Sequence, residues 1–373
     1  MTPSSDRVPR RALLLAALAV GGGLAAAVLR ATSGPGVPTF VAAALSLAGL
    51  AGLVGEATDA LGERLGPGAT GVLQSALGNL PELFIGFFAL RAGLVAVVTA
   101  ALIGSILANA LLVLGLAFIA GGLRHGRQRF GAGATRRMVV LLMLAVGSLA
   151  VPTLAALPGA PAAGHAESLS IVVSVVLLAV FVVSIPSSLS PAEQAETPSR
   201  HRAGLTEPVP RQRSAALAGL GLPLLVLTLA ALGAAVVSDW FVEALQPAMA
   251  ALGMSEAFAG LVVVAIAGNA VENVVGIQAA LRDDMDLAIS LILNSALQVA
   301  LALTPALVFV GFVVGAQLTL VLSPLLLGAV ALTAILATVI VVDGESTALE
   351  GLALVGLYVI VAASVWWGPA MGA

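Results

Sequence analysis

The chain contains no cysteine and no lysine. The first absence excludes disulfides and soft thiolate metal sites; the second leaves all 16 basic residues as arginine. Charge is scarce, at 9% of 373 residues, where a soluble domain carries about 25%. The net charge of −3 provides no basic field for a nucleic-acid partner. Aromatic residues are also few, at 4%. What fills the chain instead is apolar: 60% of its residues, with a mean hydropathy of +1.11. A soluble fold of this length cannot hide so much apolar surface behind so little charge, so the bilayer is the expected solvent. The Ala, Gly, Val and Arg bias is that of a GC-rich bacterial genome.

A membrane-crossing helix needs about 20 apolar residues. The sequence offers eleven such stretches, near 12–30, 38–61, 69–91, 94–121, 137–157, 167–189, 215–238, 254–281, 285–311, 316–342 and 349–367. The first follows Arg7, Arg10 and Arg11 and is read as a retained helix, with a cleaved signal peptide as the alternative. Arginine sets the orientation. With the N-terminus in the cytoplasm, fourteen arginines fall on the cytoplasmic side and two, Arg30 and Arg91, on the outer side, which places the C-terminus outside. Residues 190–214, rich in Pro, Glu and Arg, read as a cytoplasmic linker that tethers two halves.

Those halves repeat. Gly78, Asn79, Glu82 and Gly86 recur as Gly268, Asn269, Glu272 and Gly276, at an offset of 190 residues. Arg91 recurs as Arg282 after a one-residue slip, and Ser105 as Ser295 at the same offset. Five spans separate the halves. An odd number sends the second half into the membrane from the opposite side, so the repeat is inverted, an arrangement typical of secondary transporters with sites at mid-membrane. The expected architecture is therefore an all-α polytopic membrane protein: an extra N-terminal helix (1–35), a first five-helix repeat (36–189), the linker (190–214) and a second five-helix repeat (215–373).

A carboxylate within the bilayer is costly and marks a functional site by default. This chain places one at the same point of each repeat, Glu82 and Glu272. Ser75, Asn79, Glu82 and Gly86 share a helical face, as do Asn269, Glu272, Asn273 and Gly276. Ser105 and Asn109 share a face of the fourth span, Ser295 and Gln298 of the ninth. Carboxylate, amide and hydroxyl oxygens without intramembrane His or Cys suit a hard divalent cation, calcium above all. Taken singly, Asn109, Asn294 and Gln298 read equally as hydrogen-bonding glue between helices. Glu56, Asp59 and Glu63 line one face at the cytoplasmic end of the second span, and Asp239 and Glu243 end the seventh on the outer side.

The motifs "GEATDALGERLGP", "GNLPEL" and "GSILANALLVLGLAFIAGG", with "GNAVENV", "MDLAISLILNSALQVAL" and "DGESTALEGLALVGLYVI", resemble the two repeats of the calcium/proton antiporters, the CAX branch of the calcium/cation antiporter superfamily, from about residue 40 onward. The resemblance implies alternating access with Ca2+ as the transported ion, exchanged for H+ in the bacterial inner membrane, and no cofactor. It also implies Glu82 and Glu272 as shared cation and proton ligands, with Asn79 and Asn269 supporting. Two departures stand out: many relatives have GNAT where this chain has "GNLP", and most carry His where this chain has Asn273. An imidazole titrates near neutral pH, so its replacement by an amide keeps a sodium-coupled cation exchanger open as the second reading. No Ser/His dyad, HExxH or phosphate loop points to an enzyme.

Overall fold

The structure is a computed structural model that describes residues 10–65, 73, 77–160, 162–187 and 220–367. The linker 190–214 therefore lies outside the described residues. Among the described residues the regular structure is helical apart from one two-residue β pairing. Among the described residues nine helices are long and apolar enough to cross a membrane, and a bent pair raises the number to ten. Of the third expected span, 69–91, Leu73, residues 77–79 and the helix Leu80–Arg91 are described; Ser75 lies outside the described residues.

The described residues group into two compact units, one from Met1–Ile85 and Thr206–Ala251, the other from Gly86–Leu205 and Leu252–Ala373. The grouping takes helices from both sequence repeats into each unit. The first unit holds α1 (Arg10–Ser33), α2 (Val37–Leu65), the start of α3 (Leu80–Arg91) and α7 (Gly221–Leu252). α1 packs closely on α2 because small residues face each other: a Cβ at Gly49 would meet the Ala19 backbone, and one at Gly22 the Ser46 backbone. Ser46 donates to the Ala19 carbonyl at 2.7 Å, and Phe40 stacks on Phe241 of α7 at 4.6 Å. The first apolar stretch forms α1, packed along α2 in this unit. α7 runs well past the expected end at 238, through Asp239 and Glu243 to Leu252, because it keeps an apolar face of Phe241, Val242, Leu245, Ala248 and Met249 to bury; on its exposed side Glu243 pairs with Arg30 at 2.6 Å.

The second unit is built from α4 (Val95–His125), β1 (Gln128–Arg129), α5 (Ala132–Ala155), α6 (Ala166–Ser187), the bent pair α8 (Glu256–Gly268) and α9 (Ala270–Leu281), α10 (Met285–Val314), α11 (Pro324–Val341), β2 (Glu345–Ser346) and α12 (Ala348–Trp366). The expected span 316–342 begins later than the apolar run does. Residues 316–323 are not helical: the Leu320 N–H donates to Ser170 and the Leu322 N–H to Thr153, both at 2.9 Å, before Ser323 caps and Pro324 opens α11.

The sequence repeat is also a repeat of geometry. After α3 the Leu94 N–H closes on Ala89 O at 2.8 Å with Gly93 at φ 77°; after α9 the Asp284 N–H closes on Ala279 O at 3.1 Å with Asp283 at φ 62°. Both turns lie 190 residues apart. Glycine adopts this left-handed backbone freely, and Asp is among the few other residues that tolerate it. α4 and α10 each carry a π-helical segment, Ala108–Val113 and Val299–Leu303, again at matching positions.

Loops expected on the same membrane face meet. In the second unit, β1 in the loop after α4 pairs antiparallel with β2 before α12, Gln128 opposite Ser346. Gln128 also donates to Asp283 at 2.8 Å, and Asp286 accepts from the Gly131 N–H at 2.6 Å. Arg127 and Arg129 both pair with Glu345. Toward the other end, Ser255 donates to Val365 O at 2.6 Å and Phe258 meets Trp366 edge-on. In the first unit, Arg11 pairs with Glu56 and Arg30 with Glu243. Each of these contacts joins segments that the arginine count assigns to one side.

Candidate functional site

The two glutamates occupy the same local position. Each lies in the first turn of a twelve-residue helix, Glu82 in α3 and Glu272 in α9, where the unpaired N–H groups of a helix start favour negative charge. Each is preceded by an asparagine whose backbone carbonyl accepts the first helical bond: Leu83 N–H to Asn79 O and Asn273 N–H to Asn269 O, both at 3.0 Å. Asn79 and Glu82 are buried, in the first unit. The second motif belongs to the second unit and is described in full there.

Between α8 and α9 the helix bends by 65°. The break sits at Asn269, whose φ of −95° and ψ of 15° leave the helical region. An asparagine at a helix start ordinarily caps it, its side chain accepting a backbone N–H two or three residues on. Asn269 does not. Its side chain instead enters a buried network. Nδ2 donates to Ser105 Oγ at 3.2 Å and to Ala265 O at 3.0 Å, and Oδ1 accepts from Ser295 Oγ at 3.2 Å and from Asn109 Nδ2 at 3.4 Å. Asn109 Nδ2 also donates to Ser295 Oγ at 3.1 Å. Asn109 and Asn269 are fully buried, and Ser105 and Ser295 nearly so.

Four residues singled out by sequence, Ser105, Asn109, Asn269 and Ser295, thus converge at one point of the second unit. They come from α4, the α8–α9 break and α10. Their approach depends on glycine: a Cβ at Gly104 would press on the Leu261 backbone, and one at Gly260 on the Val97 carbonyl. The repeated glycines Gly86 and Gly276 are packing notches, filled by Leu307 and Ile292 side chains. Several oxygens remain over. Among the described residues Asn109 Oδ1, Glu272 Oε2 and Asn273 Oδ1 are buried without a hydrogen-bond partner. Buried acceptors are seldom left unpaired, so these three are oxygens to which a ligand can bind. Gln298 is buried at the foot of the π-helical segment of α10.

The remaining sequence candidates lie elsewhere. Glu56 pairs with Arg11 at 3.5 Å, and Asp59 is exposed on α2. Asn294 faces outward from α10 and glues nothing among the described residues. Two features escaped sequence reading. The π-helical segments have no residue signature, and Tyr358, whose hydroxyl is buried without a partner on α12, looks like any interfacial tyrosine in a chain.

The profile of the sodium/calcium exchanger protein family matches residues 35–188 and 222–367. The chain belongs to that family. Individual relatives sharpen the comparison. The Ca(2+)/H(+) antiporter of Synechocystis is 34% identical over 342 residues, 89% of this chain and 91% of that one. The Ca(2+)/H(+) antiporter ChaA of Bacillus subtilis is 31% identical over 88% of this chain and 92% of its own length. The solved structure of native YfkE superposes with a TM-score of 0.78 at 28% identity, covering 94% of this chain and 99% of that one. A sodium-calcium exchanger structure, NCX_Mj, shares the fold at a TM-score of 0.53 and 18% identity, over 93% of this chain and 99% of that one.

Proposed function

We propose that the protein is a secondary antiporter that exchanges Ca2+ for H+ by alternating access, with Glu82 and Glu272 as the shared cation and proton site. The observation that carries this reading is the oxygen cluster at the α8–α9 break: Glu272 Oε2 and Asn109 Oδ1 are buried and unpaired beside it, in a chain about one third identical, nearly end to end, to Ca(2+)/H(+) antiporters. Such an all-oxygen set suits a hard cation. In this reading Asn79, Asn269, Ser105 and Ser295 belong to the cation site with the two glutamates, and Asn109, Asn273 and Gln298 serve proton transfer or gating. Calcium favours ionised carboxylates and protons neutralise them. One site therefore cannot hold both, and a carrier that reorients only when loaded exchanges one for the other.

Glu56 and Asp59 lie on the approach from the cytoplasmic side in this reading, with the N-terminus in the cytoplasm and the C-terminus outside the bacterial inner membrane. Flux into liposomes holding the purified protein tests the reading. Calcium uptake is expected to follow an imposed pH gradient and to ignore an imposed sodium gradient of equal size. Uptake that follows sodium and ignores pH replaces the proton with sodium as the coupling ion. Uptake that follows neither removes calcium exchange altogether.

A further inference from the structure

The buried network at Asn269 contains more than a cluster of polar groups; it fixes which atom of each amide faces which way. Ala265 O is a backbone carbonyl and only accepts. The Asn269 atom that meets it at 3.0 Å must therefore be the nitrogen. With Nδ2 toward Ala265 and Ser105, Oδ1 is turned toward Ser295 and Asn109. Facing an oxygen, Asn109 must present its own nitrogen. Its Oδ1 is then turned away from the network, where it is buried without a partner. One backbone carbonyl thus determines the orientation of both amides, from α8 through the break to α4.

Asn269 itself has nothing left to offer an ion. An amide side chain has two N–H donors and two acceptor lone pairs. Here both donors are used, toward Ser105 and Ala265, and both lone pairs are used, toward Ser295 and Asn109. To coordinate a cation it would have to give up a bond inside a fully buried site. Its neighbour Asn109 is in the opposite condition, with a free oxygen already turned outward from the network.

We propose that Asn269 is a positioning residue and not a cation ligand: held by the Ala265 carbonyl, it sets the Asn109 amide and so presents Asn109 Oδ1 to the transported ion. The inference rests on the calcium-transport reading and specifies how that site is built. Groups that orient metal ligands from behind typically contribute about 10–100-fold in affinity when removed.

Asn269→Asp and Asn269→Ala separate the roles. Aspartate keeps the oxygen and adds charge but cannot donate to Ala265 O; alanine removes both atoms. Calcium binding to each purified variant is measured by isothermal titration well below its melting temperature. Positioning predicts that both variants bind calcium more weakly, by roughly 10-fold or more, and by similar factors. Wild-type or tighter binding by Asn269→Asp beside weak binding by Asn269→Ala would make Asn269 a ligand and overturn the proposal. A lowered melting temperature with unchanged affinity in both variants would reduce Asn269 to a folding residue and overturn it equally. A second measurement does not depend on calcium. The chain has five asparagines, so selective 15N labelling resolves the Asn109 side-chain amide by NMR. In Asn269→Ala that resonance is expected to shift and lose its protection from solvent exchange; an unmoved resonance overturns the proposal, whether or not the wild type binds calcium. Absence of calcium binding by the wild type, together with a shifted Asn109 resonance, would instead defeat the transport reading and leave the amide-setting role standing.

Discussion

At the scale of single residues, the repeated glutamates carry the strongest expectations. Glu82→Gln and Glu272→Gln each keep the side-chain volume and remove one charge and one exchangeable proton. Losing one member of a buried charged set costs about 3–5 kcal/mol, so calcium flux in liposomes is expected to fall by about 100-fold or more in each. Flux near the wild-type level in either variant would remove that glutamate from the site. Asn273, directly after Glu272, presents a buried oxygen with no partner. It is an amide at a position where an imidazole would titrate. Asn273→His is expected to add a titrating step near neutral pH to the dependence of flux on pH. An unchanged pH profile would show that residue 273 does not face the ion path.

At the scale of elements, the crossing of α4 with α8 decides whether the network can form. Gly104 and Gly260 oppose each other's helices at backbone contact distance, so each is a notch for the partner's main chain. Gly104→Ala is expected to destabilise the protein by about 1–3 kcal/mol, the usual cost of overpacking, read as a lower melting temperature in detergent. The same change at Gly86 meets only the flexible end of Leu307, with its Cδ1 at 2.6 Å from the new Cβ, and should cost less. Equal effects at the two positions would mean that the α4–α8 crossing is not the tighter of the two contacts. The break at Asn269 belongs to this scale too. A straight helix there would carry Asn269 away from Ser105, Asn109 and Ser295, and a broken helix at membrane depth persists only where other groups satisfy its freed backbone.

At the scale of the molecule, the chain's lack of cysteine makes sidedness directly measurable. Glu345→Cys and Ser323→Cys introduce single thiols at the turn before α12 and the start of α11. A membrane-impermeant thiol reagent added outside intact cells is expected to label the second and spare the first until the cells are opened. Labelling of both, or of Glu345→Cys alone, from outside would contradict the arginine-based orientation. The contacts within each unit already join loops of a common side: β1 with β2, Gln128 with Asp283, Arg30 with Glu243.

Much of this was legible without coordinates. Hydropathy marks the spans because the bilayer tolerates no unpaired backbone and little charge; the arginine count supplies an expected orientation, which the thiol labelling tests. The 190-residue offset exposes the repeat because two copies of one motif must keep the same turn, glycine notch and acidic first turn to work alike. Sequence also named Ser105, Asn109, Asn269 and Ser295, since polar groups in an apolar span are conspicuous. What it left open was their division of labour: taken singly, Asn109 reads as interhelical glue before it reads as a ligand. Which of their donors and lone pairs are in use is visible only in three dimensions. Whether an amide is a ligand or a brace depends on which of its donors and lone pairs its neighbours have already taken, and those neighbours lie as far as 186 residues away along the chain. The delayed start of α11 and the length of α7 have a common origin: apolar character says that a segment can enter the membrane, while tertiary contacts, the hydrogen bonds of Ser170 and Thr153 for α11 and the buried face from Phe241 to Met249 for α7, bear on where its helix begins and ends.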